Sequence, residues 1–178
     1  MKRRFDAFLR ALPESLFFIC IFFSIIFSEP KAGFLALAIL ITAVAGVLLK
    51  RLFFYLGEKY GTKEYGYIFL PILGKITRPP GAKDCTSWQL QTTEKANDSG
   101  MPSGHSMVIA CVVSLILINQ GLENKITVTS LLGLSFVLIL TMSARVERNC
   151  HSVEQVYWGS LFGFILSVVY YFFFKLLL

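Results

Sequence analysis

Charge and histidine are both scarce in this chain of 178 residues. Only 16% of the residues are charged, whereas 55% are hydrophobic and 17 are phenylalanine. So apolar a composition excludes an ordinary soluble domain. The four cysteines show no CxxC spacing, which argues against a structural zinc site. The chain has only two histidines, His105 and His151, and each lies in a short polar break between apolar runs.

The long apolar runs predict an all-α, multi-pass transmembrane helix bundle that forms a single domain over residues 1–178. About five spans are expected, over residues 14–27, 31–56, 102–119, 125–143 and 152 to the C-terminus. The amphipathic segment 1–13 predicts a helix that lies in the membrane interface. Residues 65–76 are apolar but too few to span, which indicates a re-entrant or interfacial helix. The polar residues 77–102 predict a loop.

Counting the helices places the polar breaks on one side of the membrane, which we call the polar face. The end of the second span, the start of the third, the end of the fourth and the start of the fifth all emerge there. The predicted polar face therefore collects Lys50, the 77–102 loop, Ser103, His105, Arg145 and His151. The net charge of +6 then reflects membrane topology and anionic headgroups rather than nucleic acid, because the aromatic residues lie inside apolar runs.

These side chains suit a phosphate group on a lipid. Arg78 and Arg145 offer planar forks that match phosphate oxygens, and a lysine adds a point charge. The start of the third span offers backbone N–H groups, with Ser103 and Gly104 beside them. A neutral imidazole can attack phosphorus while a second imidazole protonates the leaving oxygen. Two histidines among several cations need no metal or other cofactor for this chemistry.

With these residues the chain resembles the type 2 phosphatidic acid phosphatase (PAP2) superfamily of membrane lipid phosphatases. The motifs of that family are Lys-x6-Arg-Pro, Pro-Ser-Gly-His and Ser-Arg-x5-His-x3-Asp. The first is represented here by Arg78-Pro79, the second is complete at residues 102–105, and the third appears as Arg145-x5-His151. The resemblance implies that His151 is the nucleophile, which forms a phosphohistidine, and that His105 is the acid. It also implies a phosphate site made of Arg78, Arg145, a lysine, Ser103 and the Gly104 and His105 amides.

Three positions depart from the family pattern. Pro71 stands where the lysine of the first motif is expected, so Lys50 and Lys75 are both candidates for that role. Ala144 replaces the serine of the third motif, and Gln155 replaces its aspartate. A glutamine can orient the nucleophile but supplies no charge. His-x3-Gln is similar to dolichyl diphosphatases, which favours a polyprenyl diphosphate over phosphatidic acid as the substrate.

Two further interpretations of these departures are open besides the enzymatic one. Ser152 and Gln155 fit a capping box, so Gln155 has a structural role available as well as an orienting one. The replaced aspartate and the altered first motif also fit a catalytically impaired protein that binds lipid phosphate or acts as a scaffold.

The compartment of the polar face stays open at this level. Seventeen lysines and arginines are present, and only Lys31, Lys125 and Lys175 are expected on the opposite side. The positive-inside rule then predicts a cytosolic polar face, whereas the resemblance implies an outer or luminal one. Cys85 and Cys150 both belong to the polar face, where an oxidising compartment would allow them to form a disulfide.

Overall fold

The computed structural model describes residues 2–60, 77–82, 85 and 100–177. Within these residues the protein is all-helical, as the apolar runs predicted. Its five helices are α1 (Lys2–Ile26), α2 (Pro30–Tyr60), α3 (Gly104–Leu122), α4 (Val128–Glu147) and α5 (Val153–Leu177). The predicted segment 65–76 lies outside the described residues.

Four of the helices, α2 to α5, are long and apolar enough to cross a bilayer. The apolar part of α1 is shorter and covers Ala11–Ile26. Many large apolar side chains point outwards, among them Ile25 at 71% exposure and Phe136 at 64%. A bilayer around the helices accounts for this exposure, since lipid is the solvent for these side chains. The chain is therefore an integral membrane protein.

The first helix differs from its predicted form. A break was expected between an interfacial helix over residues 1–13 and a span over 14–27, but α1 runs without interruption through Pro13. Proline removes one backbone hydrogen bond from a helix interior. Packing on the core offsets that loss, because the buried side chain of Leu12 contacts Ile109 and Val113 of α3.

The centre of the bundle is the tight packing of α3 against α5. Gly159 and Gly163, four residues apart on α5, face the backbone of α3. A β-carbon at Gly159 would lie 2.5 Å from the carbonyl oxygen of Ser103, and one at Gly163 would collide with the carbonyl oxygen of Met107. Small residues at this spacing let helix backbones touch within a membrane. The contact brings the start of α3 against the start of α5.

Several helix ends differ from the predicted ones, and two of these ends lie at the polar face. The third span was expected to begin at Pro102, but α3 begins at Gly104 with Ser103 as its N-cap. The reason is tertiary: the Ser103 N–H donates to the carbonyl oxygen of Gln155 at 3.0 Å, which holds Ser103 in an extended conformation. The fourth span was expected to end at residue 143, but α4 continues through good helix formers to Glu147.

Replacing Gly163 with alanine should destabilise the protein. The added methyl group must push α3 and α5 apart, and overpacking of this kind costs about 1–3 kcal/mol. We expect a lower thermal unfolding midpoint in detergent. Gly133→Ala on α4 is the matched control, because a β-carbon there meets no atom within 4 Å. Equal midpoints for the two variants would contradict the close α3–α5 contact.

Candidate active site

The turn after α4 explains the spacing of the third motif. Asn149 adopts a left-handed conformation with φ 53°, which asparagine tolerates better than most residues. The chain then folds back, and the carbonyl oxygen of Arg145 accepts from the N–H groups of Cys150 and His151 at 3.1 and 3.3 Å. Six residues of sequence are thereby closed into one turn, so Arg145 and His151 lie at the same end of the bundle.

His151 is buried among positive charges that come from distant parts of the chain. Its side chain is only 2% exposed. The pKa of His151 is well below its usual 6.5, first because burial disfavours the charged imidazole and then because positive charges lie nearby. The groups that add to this lowering are Arg145, Lys50, Arg78 and His105. The structure thus brings together both histidines, both predicted arginines and one of the two candidate lysines.

The side chain of Gln155 fixes the orientation of the His151 ring. Its amide nitrogen donates to the carbonyl oxygen of Thr77 at 2.8 Å, and its Oε1 accepts from the N–H of Ser152 at 3.2 Å. The same Oε1 lies 3.2 Å from Nδ1 of His151. Because an amide oxygen can only accept, Nδ1 must carry the proton. This tautomer leaves the lone pair of a neutral imidazole on Nε2.

The capping interpretation of Gln155 holds together with the orienting one. The backbone N–H of Gln155 donates to the Ser152 hydroxyl at 3.4 Å while its side chain accepts from the Ser152 N–H, which is the reciprocal pattern of a capping box. One side chain therefore begins α5 and contacts His151.

A disulfide joins Cys85 to Cys150, the residue immediately before His151. The Cα atoms of the two cysteines are 5.6 Å apart. The guanidinium of Arg145 donates to the carbonyl oxygen of Cys85. The segment that carries Cys85 is thus attached to the turn after α4 by a covalent bond and by a hydrogen bond.

The start of α3 supplies the second histidine. Its N-cap, Ser103, is fully buried, and the Ser103 hydroxyl accepts from the Ser106 hydroxyl at 3.0 Å. His105 is half-buried and lies in the first helical turn, where backbone N–H groups have no partner within the helix. Buried cations and a helix N-terminus meet here, a combination that attracts an anion such as a phosphate.

Some residues of the site were not found from the sequence. Thr77 contributes only a backbone oxygen, which no side-chain pattern reveals. Gly100 is required because a β-carbon there would lie 2.5 Å from Oε1 of Gln155. The spacing of Gly159 and Gly163 was readable as a small-residue packing motif. Lys75, the other candidate lysine, lies outside the described residues.

Comparison with known proteins gives one match. A model of the PAP2 superfamily matches residues 60–177, which is more than half of the chain. The matched segment leaves out α1 and nearly all of α2. No curated protein and no solved structure matches the chain.

The disulfide leads to a direct chemical test. Protein purified without reductant and then denatured should react with a thiol label at two positions, the reduced Cys20 and Cys111, and at four after reduction. Replacing Cys85 and Cys150 together with alanine should lower the unfolding midpoint, because a cross-link over 65 residues is worth about 4 kcal/mol in the chain-entropy model. Cys20→Ala is the control and should lose one label while keeping the disulfide. Four labels without reductant would contradict the cross-link.

The lowered pKa of His151 predicts a loss of stability in acid. Below the usual histidine pKa of 6.5 the unfolded chain takes up a proton that the folded protein does not accept. The free energy of unfolding should therefore fall as the pH drops from 6.5 towards the lowered pKa, by at most about 1.4 kcal/mol per pH unit. Unfolding midpoints of the wild type and His151→Gln, measured from pH 7.5 to 5, should converge as the pH falls. Parallel curves would show that His151 is not buried in its neutral form.

Proposed function

We propose, from the premise that the chain belongs to the PAP2 superfamily, that it removes phosphate from a phosphorylated membrane lipid. The superfamily is of the phosphatase type, and four helices able to cross the membrane place the protein in the bilayer where such a substrate lies. The observation that carries the proposal is the environment of His151. A buried neutral imidazole, held in one tautomer and surrounded by cations, is equipped to attack a phosphate group.

Binding of the phosphate would precede attack. Arg78 and Arg145 are 8% and 2% exposed, so their charges act in a poorly solvated site where they are stronger than in water. Lys50 takes the lysine position of the first motif in this proposal, because its charge reaches His151. The hydroxyl of Ser103 and the amides of Gly104 and His105 would donate to the remaining oxygens.

Nε2 of His151 would then attack phosphorus and form a phosphohistidine. The bond from phosphorus to the leaving oxygen breaks, and His105 gives that oxygen its proton. In the second half, His105 takes a proton from water, the hydroxide attacks phosphorus, and His151 and inorganic phosphate are released. The cations would stabilise the negative charge in both transition states, so we expect no metal ion to be needed.

Gln155 limits how far the charge on His151 is stabilised. In the family pattern a carboxylate at this position stabilises the imidazole as it becomes positive. An amide oxygen orients the ring equally well but offers only a dipole. We therefore propose an active but slow phosphatase. The same observation favours the second candidate, a protein that binds lipid phosphate without hydrolysing it.

The disulfide bears on the orientation of the protein. Disulfides persist in oxidising compartments, and the one between Cys85 and Cys150 lies at the end of the bundle that carries both histidines. We propose that this end faces the outer or luminal side. The excess of lysine and arginine in the sequence favours the opposite orientation, and it persists when Lys50, Arg78 and Arg145 are set aside, so the proposal rests on the disulfide.

Replacing His151 with asparagine should abolish phosphate release. Asparagine fills similar space but cannot form a phosphohistidine, so we expect a loss of at least about 10³-fold in kcat with lipid phosphates in detergent. His105→Asn should lose about 10²–10⁴-fold, the usual contribution of an acid catalyst. Both assays include EDTA, which should leave the wild-type rate unchanged.

Gly133→Ala is the control that should keep full activity, because Gly133 lies near the start of α4 and the candidate site lies at the end of that helix. If the wild type is no more active than His151→Asn on every lipid phosphate tested, the proposed phosphatase activity is wrong. The second candidate, a protein that binds lipid phosphate, is then favoured. Retained binding of a lipid phosphate by that inactive protein would support the second candidate.

A further inference from the structure

An apolar groove leads from the side of the bundle to His105. It lies between α1 and α2, has a volume of about 430 Å³, and reaches the first turn of α3. Phe18, Leu40 and Val47 line it and are 57%, 48% and 52% exposed, so the groove opens towards lipid rather than towards water. We call it the lateral groove. Most of its lining residues belong to α1 and α2, which lie almost entirely outside the family match.

Two ionisable side chains, Glu14 and His105, interrupt the apolar lining of the lateral groove. Glu14 of α1 shares the groove with His105. It also lies close enough to the guanidinium of Arg145 to be attracted by its charge. Its Oε2 atom is buried and has no hydrogen-bond partner among the described residues. A buried carboxylate oxygen without a donor is costly, so a carboxylate that borders a groove favours a ligand that brings a donor.

The position of His105 tells which part of a substrate would meet Glu14. In the proposed reaction His105 protonates the leaving oxygen, so the leaving group lies where His105 borders the lateral groove. The lipid chain would then extend along the apolar walls, past Glu14. The group beside Glu14 is therefore the one that remains on the lipid after the phosphate is removed.

Two kinds of substrate leave different groups at that place. A lipid phosphomonoester leaves an alcohol, whose O–H can donate to the carboxylate of Glu14. A lipid diphosphate leaves a lipid monophosphate, whose negative charge would lie beside a carboxylate. Like charges within several ångströms of each other in a poorly solvated site repel strongly enough to change a rate by an order of magnitude.

The net charge of the site matches a phosphomonoester better than a diphosphate. Among the described residues, Lys50, Arg78 and Arg145 contribute three positive charges around His151, and the Glu14 carboxylate contributes one negative charge in its ionised form, which burial opposes and Arg145 favours. Two positive charges remain, which match the dianion of a phosphomonoester. A diphosphate carries a further negative charge, and it carries that charge on the side of Glu14.

We infer that the lateral groove holds the lipid chain and that Glu14 makes the site select a lipid phosphomonoester over a lipid diphosphate. This inference rests on the proposed function and narrows its substrate class. It runs against the similarity of His151-x3-Gln155 to dolichyl diphosphatases, which favours a diphosphate. The two indications come from opposite ends of the substrate: Gln155 contacts the nucleophile, whereas Glu14 borders the path of the leaving group.

The test compares two substrates with the same chain, farnesyl phosphate and farnesyl diphosphate, by phosphate release in detergent. The wild type should have the higher kcat/KM on the monophosphate. Glu14→Gln keeps the shape and a hydrogen-bond acceptor but removes the charge. It should raise the diphosphate-to-monophosphate ratio of kcat/KM by about tenfold. Glu29→Gln, at an exposed residue before α2, is the matched control and should leave the ratio unchanged.

A second variant distinguishes a change in substrate selectivity from a general loss of folded protein. Glu14→Ala removes both the charge and the acceptor, so it should raise the same ratio and also lower kcat/KM on the monophosphate. An active wild type that prefers the diphosphate, or a Glu14→Gln ratio equal to that of the wild type, would overturn the inference while leaving the phosphatase intact. A wild type inactive on both substrates would instead overturn the proposed function, and the inference with it.

Discussion

The hydrogen bonds of the Gln155 side chain hold the candidate site together. This buried amide ties Thr77 to the start of α5, and its oxygen contacts the ring of His151. Its backbone carbonyl holds Ser103 at the start of α3. Segments far apart in the sequence are therefore hydrogen-bonded to the same residue. Because an amide offers a donor and an acceptor with fixed geometry, it can bridge them where a carboxylate, which only accepts, cannot. Because glutamine is neutral, His151 also lacks the negative charge that the aspartate of the family pattern would place beside it.

A site rich in buried cations needs strong structural support, since like charges repel in a poorly solvated environment. The disulfide between Cys85 and Cys150 and the hydrogen bond from Arg145 to the Cys85 carbonyl oxygen provide it. The glycine contacts of α5 with α3 provide a second, apolar support. Among the described residues, the Glu14 carboxylate interacts with the charge of Arg145, and it approaches from α1, outside the family match. The matched segment thus carries Arg78 and Arg145, α2 carries Lys50, and the carboxylate of Glu14 on α1 partly offsets their positive charge.

Much of the fold was predictable from apolar runs, because the bilayer requires helices of a set length. The errors have local causes. Pro102 and Ser103 fit a helix start, but a hydrogen bond to Gln155 moved the start of α3 to Gly104. Arg145 was predicted in a loop because polar residues usually end a span, yet it lies in the last turn of α4. The predicted break at Pro13 is absent, because packing of α1 on α3 outweighs one lost hydrogen bond.

The sequence by itself determined the all-helical membrane fold, the family and the shared membrane face of His105 and His151, because periodicity, length and motif spacing are written along the chain. Only the tertiary structure decided which tautomer His151 adopts, which cations surround it, and that Glu14 borders the same groove as His105. Those facts depend on distances between residues that the sequence separates by tens of positions. Hydrogen bonds and strong charge interactions act over a few ångströms. They form only when folding brings these residues together.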